Sequence, residues 1–175
     1  MSKKNYINLA KKAANIQIKE LKKINKVFNK SFIKAIDLIL NCKGKVIFAG
    51  VGKSGIIARK VSATFSSVGI PSFFCDPAQA LHGDMGQIEK KDILIIFSYS
   101  GNTSELTNML KYANRSRIKI IGVASKPESI LLKASDIKLL LPKVRESDIT
   151  GMVPTSSTSI SLLLGDCLAT TVISK

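Results

Sequence analysis

Five short runs of Val, Ile, Leu and Phe constrain this 175-residue chain more than any other feature. They are KVIFAG (45–50), PSFFC (71–75), DILIIFS (92–98), IKIIGVA (118–124) and DIKLLLP (136–142). Their apolar character is continuous rather than alternating, as expected of strands covered on both faces in a parallel sheet. Helical stretches separate them: after GVGKSG to about Ser67, after SGNTSEL to about Ala113, and near Pro127 to Ala134. A last helix opens near Pro154, a residue suited to a first helical turn. The alternation predicts an α/β fold with a five-stranded parallel, doubly wound sheet. Such sheets bind ligands outside the carboxyl ends of their strands.

Ahead of the first strand lies a different texture. From Asn5 to about Asn41 the pattern is helical, with Ala14, Ile18, Leu21, Ile24 and Phe28 at spacings of three and four. Phe32, Ile36, Ile39 and Leu40 continue an apolar face, Asn29 and Ser31 predict a break, and Gly44 closes the second helix. Residues 1–44 are therefore expected to form a helical arm, and 45–175 one domain. The arm also holds most of the chain's net charge of +15, because residues 1–45 carry twelve Lys against Glu20 and Asp37. With 23 Lys and only four Arg, this is expected to be a solvated helix face, not a nucleic-acid footprint. No run of eighteen apolar residues occurs, so no membrane span is expected; the longest candidate, Ile160 to Ile173, is interrupted by Gly165 and Asp166. The start lacks the continuous apolar core of a signal peptide. Cys42, Cys75 and Cys167, odd in number and far apart, fit reduced thiols in the cytoplasm.

Two strand exits carry small, Gly-rich loops. Gly50-Val51-Gly52-Lys53-Ser54-Gly55 fails as a P-loop, because Ile47 stands where the first Gly is required. It matches GxGxxG literally, with Asp76 lying 26 residues on, past the usual position of a ribose-binding acid. A plain tight turn is the competing reading. Lys53 opposes the dipole at a helix start unless an anion or developing oxyanion sits there. The second loop, Ser98-Tyr99-Ser100-Gly101-Asn102-Thr103, offers three hydroxyls and a Gly ahead of a helix, which suits a terminal phosphate. Its competing reading is a capping box of Asn102 with Glu105; a cap needs one such residue, not three hydroxyls. His82, the only histidine, follows the second strand without metal-ligating neighbours, so no metal is expected. It is either a structural group or a ligand contact. Glu146, in the non-periodic stretch KVRESDITGMV, is either a surface charge or a general base in a dry cleft.

Taken in order, GVGKSG, VSATFSSVGIPSFF, AQALHGDMG, SYSGNTSE, RES and GMVPTSST resemble the sugar isomerase (SIS) domain of bacterial arabinose-5-phosphate isomerases, over roughly residues 45–170. The resemblance implies a flavodoxin-like SIS fold and interconversion of D-ribulose 5-phosphate and D-arabinose 5-phosphate through a cis-enediol. That reaction feeds synthesis of Kdo for lipopolysaccharide, and no cofactor is implied. It further implies catalytic roles for Lys53, Glu105 and Glu146. Ser98, Ser100 and Thr103 match the family's phosphate loop, with Ser54 contributing from the first loop. His82 matches the His of an HGD motif close to the sugar, and Gly69 and Ile70 match a weaker substrate-contact position. Which Glu is the base stays open. Self-association as a dimer or tetramer, with sites formed from two subunits, is also implied.

Three departures accompany the resemblance. The family's further catalytic His, in an L-S-H-P-G-G motif, falls beyond Lys175, as do the tandem CBS domains. Asp76 stands where some relatives have a His that binds inhibitory zinc. The chain is thus expected to be either a shortened form or a natural short version, and the rival reading is a non-catalytic sugar-phosphate-binding module. Retention of Lys53, Glu105 and Glu146 speaks against that rival. A dinucleotide-binding domain ranks third, since no room remains for a substrate domain, and nucleic-acid binding fourth.

Overall fold

All five apolar runs become strands of a single parallel sheet in the structure, a computed structural model that describes residues 3–174. They are β1 (Val46–Gly50), β2 (Ser72–Cys75), β3 (Ile93–Phe97), β4 (Lys119–Ala124) and β5 (Ile137–Leu140), in the spatial order β2-β1-β3-β4-β5. The order reverses between β1 and β3, and a doubly wound sheet opens a crevice at such a point. Register makes the crevice level, because Gly50 at the end of β1 lies opposite Phe97 at the end of β3.

The helices are α1 (Lys3–Leu21), α2 (Lys30–Leu40), α3 (Lys53–Ser67), α4 (Leu106–Arg115), α5 (Ile130–Ala134) and α6 (Ser156–Ile173). Strand side chains alternate between two cores, as the pleat requires. Val46, Phe48, Ile93, Ile95 and Phe97 face a core built with α2, α3 and α6. Ile47, Ala49, Leu94 and Ile96 face a second one built with α4 and α5. Burying each such side chain stabilises the fold by about 1.5–3 kcal/mol, which is why both faces of every central strand read as apolar. By length and composition α6 is apolar enough to cross a bilayer, although Gly165 and Asp166 interrupt it. Half of it is buried, and it lies against α3 and α1 as a core helix.

The arm breaks where expected and departs from expectation in three other details. Asn29 does break it, accepting the Ser31 N–H at 2.8 Å as the N-cap of α2, and a 3-10 turn (Lys22–Val27) precedes that break. The second helix ends at Leu40, not at Gly44, because Asn41 closes it by donating from both its backbone and side chain to the Asp37 carbonyl. On α1, Ala14 and Ile18 are exposed, whereas the buried and half-buried positions include Ile16, Gln17 and Glu20. The 3.6-residue pattern holds for Leu21 and Ile24, which pack on the core, and fails for Ala14 and Ile18, because the packed side of α1 also takes Gln17 and Glu20, which find polar partners on the domain. Cys42, Cys75 and Cys167 are all free thiols, and burial, with Asp84 and Asp76 nearby, pushes Cys75 up to about 11.

Candidate active site

Loops leaving β1 and β3 meet the segment after β5 and the first turn of α6 around a pocket of about 380 Å³. That volume lies within the range of small-molecule sites. Lys53, Ser54, Ser98, Ser100, Thr103 and Glu146 all line it. A larger groove, about 510 Å³, runs between α1 and residues 145–150. It gathers none of these side chains, so the expected site residues converge on the smaller pocket.

Each loop has a local reason for its shape. Lys53 opens α3 behind Gly52, where the first backbone N–H groups of a helix have no partner in the helix itself. An anion there is met by the N–H groups, the helix dipole and the Lys53 ammonium. In the second loop, Ser98 and Thr103 hydroxyls bond at 2.9 Å, and Ser98 also accepts the Gly101 N–H at 3.1 Å. The Ser100 hydroxyl accepts from Asn102 N at 3.3 Å. Gly101 has φ 69°, and a Cβ there would lie 2.2 Å from the Ser129 hydroxyl oxygen. Only glycine fits, and the close approach brings α5 against the loop.

The capping-box alternative fails on geometry. Asn102 accepts the Ile130 N–H at 3.0 Å, at the start of α5, while Glu105 accepts the Ser104 hydroxyl at 2.7 Å. With its caps diverted, α4 begins only at Leu106 and has no side-chain N-cap. Glu105 is exposed and does not line the pocket.

Glu146 lines the pocket and is held there by the start of α6. Its Oε2 accepts the Thr155 N–H at 2.8 Å, the Thr155 hydroxyl at 2.9 Å and the Ser157 N–H at 3.3 Å. Thr155 makes no side-chain cap of its own, so Glu146 supplies from outside the acceptor that the first turn of α6 lacks. Burial raises its pKa, but the Ser157 hydroxyl and the Thr155 and Ser157 groups outweigh this and hold the carboxyl below its ordinary value. Among the described residues these bonds all go to Oε2 and none to Oε1. The pocket thus presents an ionised carboxylate opposite a cation and a cluster of hydroxyls.

Other expected residues lie elsewhere. His82 is exposed at the carboxyl side of β2, in a 3-10 turn (Gln79–His82), and does not line the pocket. Gly69 and Ile70 precede β2, at the amino edge of the sheet and away from the pocket. They form the C-terminal cap of α3, with Gly69 N donating to Ser66 O and Ile70 N to Phe65 O. Within one chain, then, these three and Glu105 are not brought to the Lys53–Glu146 pocket.

Tyr99, Ser157, Thr158 and Ser161 also line it and were not anticipated as site residues. Tyr99 donates to the Pro142 carbonyl at 3.2 Å and accepts the Val144 N–H at 2.9 Å, tying the β3 loop to the segment that carries Glu146. Burial raises its pKa, so it stays a neutral donor. The signal for Ser157 was PTSST, whose hydroxyls follow a helix-opening Pro; nothing local marked Tyr99. Among the described residues no group of three His, Cys, Asp or Glu side chains is placed to hold a metal ion.

Residues 39–171 match the SIS domain family. The chain is 40% identical over 168 residues to an uncharacterized protein of Rickettsia prowazekii (strain Madrid E), covering 96% of this chain and 52% of that protein. It is 40% identical over 149 residues to the arabinose 5-phosphate isomerase KdsD of Escherichia coli (strain K12), covering 85% of this chain and 45% of KdsD. The chain therefore spans about half the length of these relatives. Among solved structures, an Escherichia coli CFT073 protein in complex with arabinose 5-phosphate superposes with a TM-score of 0.95 at 34% identity, covering 99% of this chain and 93% of that one.

Proposed function

The chain belongs to the SIS domain family, and on that premise we propose that it is a phosphosugar aldose–ketose isomerase interconverting D-arabinose 5-phosphate and D-ribulose 5-phosphate. One observation carries this reading: Lys53, the Ser98–Thr103 hydroxyls and an ionised Glu146 line the same pocket. Phosphate binding alone has no use for a carboxylate, which would repel it. Proton transfer between neighbouring carbons needs one. The phosphate sits against Ser98, Ser100 and Thr103 with Ser54 from α3. Glu146 takes the C2 proton of the open-chain aldose, and the C–H electron pair becomes the C1–C2 double bond of a cis-enediolate. The Lys53 ammonium holds the developing oxyanion. The O2 hydroxyl proton passes to O1, the O2 electron pair becomes the C2 carbonyl, and returning the abstracted proton to C1 gives the ketose. Between the two candidate bases, pocket position and hydrogen bonding favour Glu146 over the outward-facing Glu105.

The finer reading extends to supply of Kdo for lipopolysaccharide, to action in the cytoplasm, and to a dimer or tetramer in which His82 and Glu105 reach a site from a neighbouring subunit. In it, residues 45–175 are the isomerase domain and residues 1–44 its arm. The experiment is ketopentose formation from D-arabinose 5-phosphate by this chain, with Lys53→Ala as the blank. Turnover above the blank is expected. A folded chain that binds the sugar phosphate without turning it over makes this a sugar-phosphate-binding domain instead.

A further inference from the structure

The α1 side that packs includes polar residues, and their partners converge on one place. Glu20, only 6% exposed, accepts the Arg145 N–H at 3.1 Å. Its other partner is Lys23, whose ammonium also lies 3.4 Å from the Lys143 carbonyl. One turn earlier, the Gln17 amide donates to the Ser147 hydroxyl at 3.3 Å and accepts from the Ser159 hydroxyl at 3.2 Å. Ser147 in turn donates from both its N–H and its hydroxyl to the Thr155 hydroxyl oxygen, at 2.9 and 3.0 Å. That same Thr155 hydroxyl donates to Glu146. The residues on either side of Glu146 are thus each held by α1, and α1 lies outside the region matched to the family.

We propose that Gln17 and Glu20 are positioning residues, which clamp Arg145 and Ser147 so that the Glu146 carboxylate between them stays aimed into the pocket. The segment needs such a clamp because residues 141–155 contain no helix or strand to hold it. Tyr99 fixes its beginning through Val144, and α1 fixes the stretch that matters for proton transfer. A loop left to itself would sample orientations, and a misplacement of about 1 Å at a reacting group costs about 100-fold in rate. Neither Gln17 nor Glu20 lines the pocket, so neither is catalytic. The charged and titratable groups around Glu146 are Lys53 and Tyr99 across the pocket, Arg145 and Asp148 on its own segment, and the Glu20–Lys23 pair behind it.

This inference rests on Glu146 being the base, and its test separates the two. Gln17→Met keeps the stem and removes both amide bonds; Glu20→Ala removes the acceptor for Arg145, and Glu20→Gln keeps one. In the isomerase assay, Gln17→Met and Glu20→Ala should lose about tenfold to 100-fold in kcat. The KM for the sugar phosphate should stay within about twofold, because the phosphate loop is built by other elements. Glu20→Gln should recover most of the loss. Independently of turnover, the carboxyl carbon resonance of Glu146 followed against pH should titrate higher in Gln17→Met and Glu20→Ala, as the bonds from Thr155 and Ser157 loosen. An unchanged Glu146 titration in both variants overturns the clamp, whatever the activity. A shifted titration in a chain that never turns over substrate supports the clamp and removes only the isomerase reading.

Discussion

Glu146 shows how much one residue's meaning depends on its neighbours. In sequence it is a charge in an irregular stretch; in the fold it caps α6 from outside and lines the pocket. Its lowered pKa sets two pH expectations. A base must be deprotonated, so the acid limb of kcat/KM assigned to it should lie below the ordinary Glu range. Its stabilising contribution should be complete above that range and fade as pH falls through the lowered folded-state pKa. Glu146→Gln should leave the fold intact and lower kcat by about 10²–10⁴-fold; near-native turnover in that variant assigns the base elsewhere. At Gly101 the expectation is structural. Gly101→Ala forces a left-handed residue and a contact with Ser129, and should cost about 1–3 kcal/mol in a denaturant titration. Ser100→Ala should raise KM for the phosphorylated sugar, and an unchanged KM would move the phosphate away from that loop.

At the scale of elements, strands were the most legible and helix ends the least. Continuous runs such as Val46–Ala49 and Ile93–Phe97 can satisfy both of their faces only inside a two-sided sheet, so they announce themselves. Helix starts depend on where a side chain's hydrogen bond is sent. Asn102 was available to cap α4 and instead takes the Ile130 N–H, a partner 28 residues away. On α1 the periodicity held at Leu21 and misled at Ile18, which remains outside while Gln17 and Glu20 find polar partners. Close packing of α3 on α6 offers a test at this scale. A Cβ on Gly165 would lie 2.3 Å from a Val61 methyl. Gly165→Ala should destabilise by about 1–3 kcal/mol, and adding Val61→Ala should recover part of that loss. Strict additivity in the double-mutant cycle would show that the two helices do not meet there.

Over the whole molecule, the exposed apolar side chains are informative. Ile149 is 95% exposed, Met152 77% and Ile56 71%, so the segment beyond Glu146 and the outer side of α3 present uncovered hydrophobic surface. Sedimentation at micromolar concentration should give a dimer or tetramer, and a monomer would remove the expectation of sites completed by a second subunit. What the sequence determined by itself was whatever follows from local composition: the parallel α/β sheet, its two Gly- and Ser-rich strand exits, and Lys53, Ser98, Ser100 and Thr103 as phosphate-site candidates. The motifs also carried the family resemblance. Tertiary structure alone decided that Glu146 and not Glu105 shares the pocket with Lys53, that Tyr99 and Ser157 join it, and that Gly69 and Ile70 lie at the other edge of the sheet. Those outcomes depend on hydrogen bonds between residues tens of positions apart, such as Tyr99 to Val144 and Glu20 to Arg145. Periodicity and motif spacing describe a residue's own neighbourhood along the chain, and no local pattern records which distant donor a carboxylate or amide will meet.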